Sequence, residues 1–194
     1  MIIIHILQAH MTENPAKGKI LISEPFLNDP NFKRTIILLT EHGEEGSVGF
    51  VLNKPTAYKI NDIVEEFPKF ESLVYYGGPV QLNSIQFIYK GENVMDGSAE
   101  ILPGLFWGGS FEILKLLIQS RQVKPQDFRF FLGYSGWGEH QIEDEIELNS
   151  WIVADTTIDN IFSDEPDKLW RDILKSMGKK FAILASFDDN PSVN

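Results

Sequence analysis

Cysteine is absent from the 194-residue sequence. That absence excludes disulfides, thiolate nucleophiles, iron–sulfur clusters and cysteine-ligated zinc, and it fits a cytoplasmic address. Positive charge is scarce: 17 Lys and Arg stand against 28 Asp and Glu, a formal net charge of −11. Basic residues meet only briefly, at Lys17/Lys19, Lys33/Arg34 and Lys179/Lys180. Direct nucleic-acid binding and adhesion to an anionic membrane are both opposed by this balance, since each rests on a basic surface. No apolar run approaches the roughly 18 residues that cross a bilayer. The apolar start, Met1 to Leu7, is short and carries no basic n-region. It reads as part of a poorly ordered or adventitious lead-in over 1–16, with Met11 as an alternative start, ahead of a single domain over 17–194.

What remains is the composition of a folded domain. Hydrophobic residues make up 43% of the chain, with 14 Phe against 4 Met. A chain of this size buries about 70% of its unfolded surface, which suffices for a core without staples. Turn residues recur along the chain with no long linker between them.

The periodicities predict a mixed set of elements. Thr35 to Thr40 is apolar without interruption between its threonines, the pattern of a central strand buried on both faces. Ser47 to Leu52 follows as its hairpin partner across an acidic loop, 41–46. Further strands are expected near 19–22, 73–76, 84–89, 128–134, 151–154 and 181–187. Helices are expected at 60–67, at 111–118 behind a Ser110 cap, at 138–148, and from Pro166 to a stop at Gly178, capped by Ser163 or Asp164. Strands follow strands without intervening helices, so the expected class is α+β with a mixed sheet and helices packed around it.

The segment Gly133-Tyr134-Ser135-Gly136-Trp137-Gly138 invites two catalytic readings. A nucleophile elbow needs Gly-x-Ser-x-Gly, and Trp137 occupies the second glycine's place. A dinucleotide fingerprint needs a third glycine where Gln141 stands, and Glu139 would face the pyrophosphate. Both fail on sterics, and the simpler reading is that the glycines turn the chain while Tyr134 and Trp137 pack in the core. Gly108-Gly109 before Ser110 could receive an anion on free amides, but lacks the Lys of a phosphate loop; a capped helix entry is the plainer account. His140 and Asp144 share a helix face with Glu143 adjacent, and His42 lies in the acidic loop, but no metal-ligand spacing appears, so no metal and no cofactor are assigned. Asn53, at a strand end, suits a turn or a ligand. Arg34 suits a nearby acid.

Taken in order, Asp29-Pro30-Asn31-Phe32 with Arg34, Glu41-His42 with Gly46 and Gly49, Asn53-Lys54-Pro55-Thr56, Gly77-Gly78-Pro79-Val80, and Gly133 to Gly138 with Gln141, Glu143 and Trp151 resemble the AlgH/YqgE family of small bacterial proteins. The likeness runs from about Lys17 to Leu174. Where the family usually has alanine, this chain has Ser135, which weakens any nucleophilic role for it; where the family usually has Asp, it has Ser110, another cap. The resemblance implies an α+β fold with a bifurcated sheet, a small barrel-like portion and surrounding helices. It implies no established activity, and its name derives from a proposed role in transcriptional regulation.

Two functional classes follow. The first is a non-enzymatic binding protein that meets another protein or a small molecule and affects regulation indirectly, without direct nucleic-acid or membrane binding. The second is an enzyme with a pocket near Asn53, Gly78 and the Gly133–Gly138 turn. The candidate ligand or partner surface comprises Arg34, His42, Asn53, Gly78, Ser135, Trp137, Gln141 and Glu143.

Overall fold

A computed structural model describes residues 13–92 and 94–187. Most of the expected lead-in, residues 1–12, lies outside them.

The sheet is organised by one long strand, β9 (Phe128–Trp137). Along one edge it pairs antiparallel with β6 (Val80–Lys90). Its other edge is shared. Phe130–Leu132 pair in parallel with β5 (Leu73–Tyr76), and Ser135–Trp137 pair antiparallel with β3 (Gly46–Val51). The partner changes around Gly133, whose φ of +67° a side chain would strain. This is the branch point of a bifurcated sheet. One branch continues through β3 to β2 (Ile36–Gly43), β1 (Ile20–Ser23) and β10 (Trp151–Ala154); the other runs through β6 to β8 (Leu105–Gly108) and β7 (Ser98–Leu102), and β4 (Pro55–Lys59) hangs on β5. Every strand pair but β5–β9 is antiparallel. The path from β10 to β7 stays open, so the sheet does not close into a barrel. The fold is a single α+β domain.

The continuous apolar run in β2 does what its sequence predicts. Ile36 and Leu38 face one core cluster and Ile37 and Leu39 face another, all fully buried. The first cluster is roofed by α4 (Ile158–Ile161), α5 (Pro166–Ser176) and α6 (Lys179–Leu184), the other by α3 (Gln141–Glu147). A third, rich in Phe, lies where α2 (Phe111–Gln119) and α1 (Ile60–Ile63) cover β6, β8 and β9. Full burial of each such side chain is worth about 1.5–3 kcal/mol, so β2 is anchored firmly on both of its faces.

Several expected boundaries move. Glu41 to Gly43 belong to β2, leaving only Glu44 and Glu45 as the turn, because His42 and Gly43 still find partners in Ser47 and Gly46. The helix expected over 60–67 stops at Ile63, with Val64 already extended. Ser110 caps α2 as expected, its side chain accepting from the Ile113 amide. For α5 the flanking residue is Glu165 with no side-chain cap, while Ser163 Oγ accepts from the Glu165 amide just ahead of it. The expected strand over 181–187 is helix α6. Phe181, Leu184 and Ala185 are buried while Ile183 is 62% exposed. That is helical spacing against α5, and Gly178 at φ +107° makes the corner between the two helices.

Candidate functional site

The eight residues singled out by the sequence fall in three places. Gly78 and Ser135 occupy the first, where the 77–78 segment crosses β9. A methyl at Gly78 would overlap the carbonyl of Tyr134 and the amide of Ser135, and the backbone there has φ +150°. Ser135 has no exposed surface, and its hydroxyl donates to the Gly77 carbonyl at 3.0 Å. A hydroxyl so placed closes a backbone crossing and meets no substrate. The Gly133–Trp137 stretch is β-strand, not the strand-to-helix elbow that its glycines suggest.

The second place lies where β9 ends and α3 begins. Trp137 is 6% exposed and stacks on Phe32. Its indole Nε1 donates to Glu145 at 3.0 Å, and the Trp151 indole donates to the same carboxylate oxygen at 2.7 Å. Gln141 donates to the other oxygen at 2.9 Å, while its own amide oxygen accepts from the Gly138 amide. Glu145 is thus the hub of a helix-to-sheet lock. Spacing alone does not tell which of the neighbouring acids Glu139, Glu143, Asp144, Glu145 and Glu147 turns inward. Nearby, His42 Nδ1 lies 2.8 Å from Ser47 Oγ and its Nε2 lies 3.6 Å from Glu143. Ser, His and Glu are in line, but Ser47 is 5% exposed on a strand paired along both edges, which denies its hydroxyl to a substrate. His140 is exposed beside Glu139, apart from this group. Among the described residues no group of three or more His, Asp or Glu is placed to hold a metal ion.

Arg34 and Asn53 occupy the third place, which is concave. A cleft of about 500 Å³ runs between the β3–β4 connection and α5, lined by Arg34, Asn53, Lys54, Trp170, Arg171 and Lys175 together with Asp167, Lys168 and Asp172. Neither Gly78 nor the Gly133–Gly138 segment lines it. Arg34 lies over the Trp170 ring at 5.1 Å and donates to the Phe187 carbonyl. Lys54 donates to the Pro30 and Asn31 carbonyls, and partial burial holds its ammonium below the usual lysine range. Lys168 pairs with Glu165 and Lys175 stands 4.0 Å from Asp172. Among the described residues, five cations and two carboxylates therefore line one cleft of a protein with a net charge of −11. They come from three separated stretches of sequence, which is why no basic run announces them.

Asn53 shapes this cleft. Its Oδ1 accepts from the buried Ile36 amide at 2.9 Å and its Nδ2 donates to the Arg34 carbonyl at 2.8 Å. The side chain stands in for a strand neighbour at the start of β2. Asn53→Ala is expected to destabilise the fold by about 2 kcal/mol, because a buried amide loses its acceptor; chemical denaturation at unchanged m-value measures it. Asn53→Asp keeps the acceptor but sets a carboxylate oxygen against the Arg34 carbonyl, so it should not recover the loss.

Arg129 was not singled out by the sequence. It is 5% exposed on β9 and donates to the carbonyls of Leu52 and Ser163, both at 3.0 Å. An isolated Arg in a strand of aromatic residues carries no spacing signal.

The chain is similar to known proteins over most of its length. The sequence model of the AlgH-like family matches residues 20–182. A UPF0301 protein of Cytophaga hutchinsonii is 44% identical over 92% of this chain and 98% of its own length. A UPF0301 protein of Chlorobaculum tepidum is 41% identical over 91% and 95%. Among solved structures, the AlgH protein of Pseudomonas aeruginosa superposes with a TM-score of 0.72 at 25% identity, covering 93% of this chain and all of that one. A protein of Corynebacterium diphtheriae superposes at 0.77 with 22% identity, covering 94% and 97%, and shares the fold.

Proposed function

The chain belongs to the AlgH-like family, and from the geometry of its cleft we propose that it is a non-enzymatic binding protein that receives an acidic segment of a partner protein between the Arg34–Asn53–Lys54 edge and α5. The observation that carries this reading is the gathering of Arg34, Lys54, Lys168, Arg171 and Lys175 about one cleft of an otherwise acidic molecule. Even with Lys168 paired to Glu165 and Lys175 near Asp172, a cleft rich in cations attracts the carboxylates of an acidic partner. The surrounding negative surface turns away acidic molecules that do not fit, so the cleft selects as well as attracts. A regulatory role would then run through protein contact and not through nucleic acid, which the net charge repels. The cysteine-free composition fits action in the cytoplasm. Among the described residues no helix is long and apolar enough to cross a membrane. Against an acyl-transfer enzyme stands the burial of Ser47 and Ser135, the serines nearest His42 and the glycine-rich strand.

Charge reversal tests the reading. Lys168 and Arg171 are exposed, so Lys168→Glu with Arg171→Glu leaves the core untouched. Binding of a fluorescent Glu-rich peptide, followed by anisotropy, should weaken at least about tenfold in the double variant and fall steeply with added salt. Equal affinity in the two proteins would remove the cleft from consideration.

A further inference from the structure

A second cavity lies on the other side of the α5 entry, about 630 Å³ in volume, walled by Ser72, Tyr75, Phe162 and Ser163 with Lys90 and Arg129 reaching it. Arg129 is the unusual member. Its guanidinium is almost wholly buried, yet no carboxylate oxygen lies within 4.0 Å of it among the described residues, where Asp164 acts on it only at longer range. Two carbonyls, from Leu52 and Ser163, take one N–H from each terminal nitrogen. The Nε–H makes no hydrogen bond among the described residues. The Tyr75 ring lies 4.3 Å below the guanidinium and the Phe162 ring 5.8 Å away.

A buried cation without a counter-ion is costly, because desolvation opposes it and neutral carbonyls return only part of the loss. Burial accordingly holds the Arg129 guanidinium below its ordinary range, and the long-range pull of Asp164 does not offset it. A strand position needs no charge; Met or Leu would fill it at less cost. The fork of an arginine is suited to an oxyanion. Lys90 supplies a second cation at the rim, 4.9 Å from the Phe162 ring and 3.9 Å from Asp127, too long for a strong pair. Of the acids that line the cavity, Glu71 is engaged by Lys59, and Asp164 stands beyond 4.0 Å from the guanidinium. Ser163 Oγ only accepts, from the Glu165 amide, so its own proton is free to donate into the cavity.

We propose that this cavity is a binding site for a small oxyanion, the carboxylate or phosphate group of a small molecule, held by Arg129 with Lys90 and the Ser163 hydroxyl against the faces of Tyr75 and Phe162. The site is independent of the acidic-segment cleft, which shares none of these residues.

The test uses the full chain, labelled with nitrogen-15, and follows the Nε–Hε signal of Arg129 as inorganic phosphate or benzoate is added, with sodium chloride at equal ionic strength as the reference. A saturable shift with phosphate alone assigns a phosphate group; one with benzoate alone assigns a carboxylate on a flat apolar body. Arg129→Lys, followed through the backbone amides of Phe162 and Ser163 because the Arg129 signal is gone, keeps the charge and loses the fork, and Lys90→Met removes the rim cation; each should weaken binding about tenfold. If Arg129→Lys does not fold, the half-buried rim variant Lys90→Met carries the test alone, with the Arg129 signal still in view. No saturable shift with either anion beyond that of chloride, or unchanged affinity in Lys90→Met, overturns the proposal. The anisotropy of the Glu-rich peptide should be the same in Lys90→Met as in the parent protein, which separates failure here from failure of the cleft.

Discussion

Gly78→Ala is expected to abolish the cooperative fold or to leave it barely stable, with a loss of about 4 kcal/mol or more out of the 5–15 kcal/mol typical of a domain. Two effects act together. The new methyl would overlap backbone atoms of Tyr134 and Ser135, and backbone cannot rotate away as a side chain can. The φ of +150° is one that side-chain-bearing residues rarely adopt. The damage falls at the branch of the sheet, where β9 changes partner from β5 to β3, so both halves of the core would feel it. Gly43→Ala is the matched control: nothing lies within 4 Å of its added carbon and its backbone needs no positive φ. Thermal unfolding of the pair by circular dichroism should show a large loss for the first and almost none for the second. A Gly78→Ala protein as stable as the control would mean that the crossing is looser than described.

The second large effect is expected at Glu145. Its carboxylate accepts from the indoles of Trp137 and Trp151 and from Gln141. Glu145→Ala strands two indole N–H groups inside the cluster that α3 covers and opens a gap beside them. The cost should be about 3 kcal/mol, since charge-assisted bonds are lost and donors are left unpaired. For a domain of this size that lowers the melting temperature by about 6–12 °C. Glu145→Gln, which keeps one acceptor oxygen, should recover part of the loss. The Trp137–Trp151 pair, now edge to face at 6.1 Å, gives a near-ultraviolet dichroism signal that should diminish in the alanine variant. A loss under about 1 kcal/mol would place the carboxylate in solvent, as a surface acid.

These two positions mark what the sequence could and could not convey. β2 was legible because its apolar run has no polar face, and the Ser110 cap because its chemistry is local. The 133–138 glycines read as turning the chain while Tyr134 and Trp137 pack in the core; Trp137 is buried, but 133–137 is strand, and the close approach is at Gly133, to the Gly78 and Val80 carbonyls more than fifty positions away, which no local pattern reports. α6 was misread for a related reason: Phe181 to Phe187 is too short for its period to choose between helix and strand, and packing on α5 decides it. β4, β7 and β8 were missed because their exposed or glycine-flanked stretches lack clear alternation. The candidate surface was legible only in part. Arg34 and Asn53 do meet at one cleft, while His42, Trp137, Gln141 and Glu143 gather at the α3 entry and Gly78 and Ser135 at the crossing. Lys54, Arg171 and Lys175 complete the cleft through tertiary structure alone, and Arg129 carries its meaning only in its burial.

The cationic cleft is the proposed meeting place of this acidic molecule and its partner. The most direct measurement is a nitrogen-15 chemical-shift titration of the whole chain with a Glu-rich peptide at low salt. The shifts should be confined to the surroundings of Arg34, Asn53, Lys54 and the 167–175 face of α5, and should vanish when salt screens the charges. Shifts centred instead on His42, Gln141 and Glu143, or none anywhere, would contradict it.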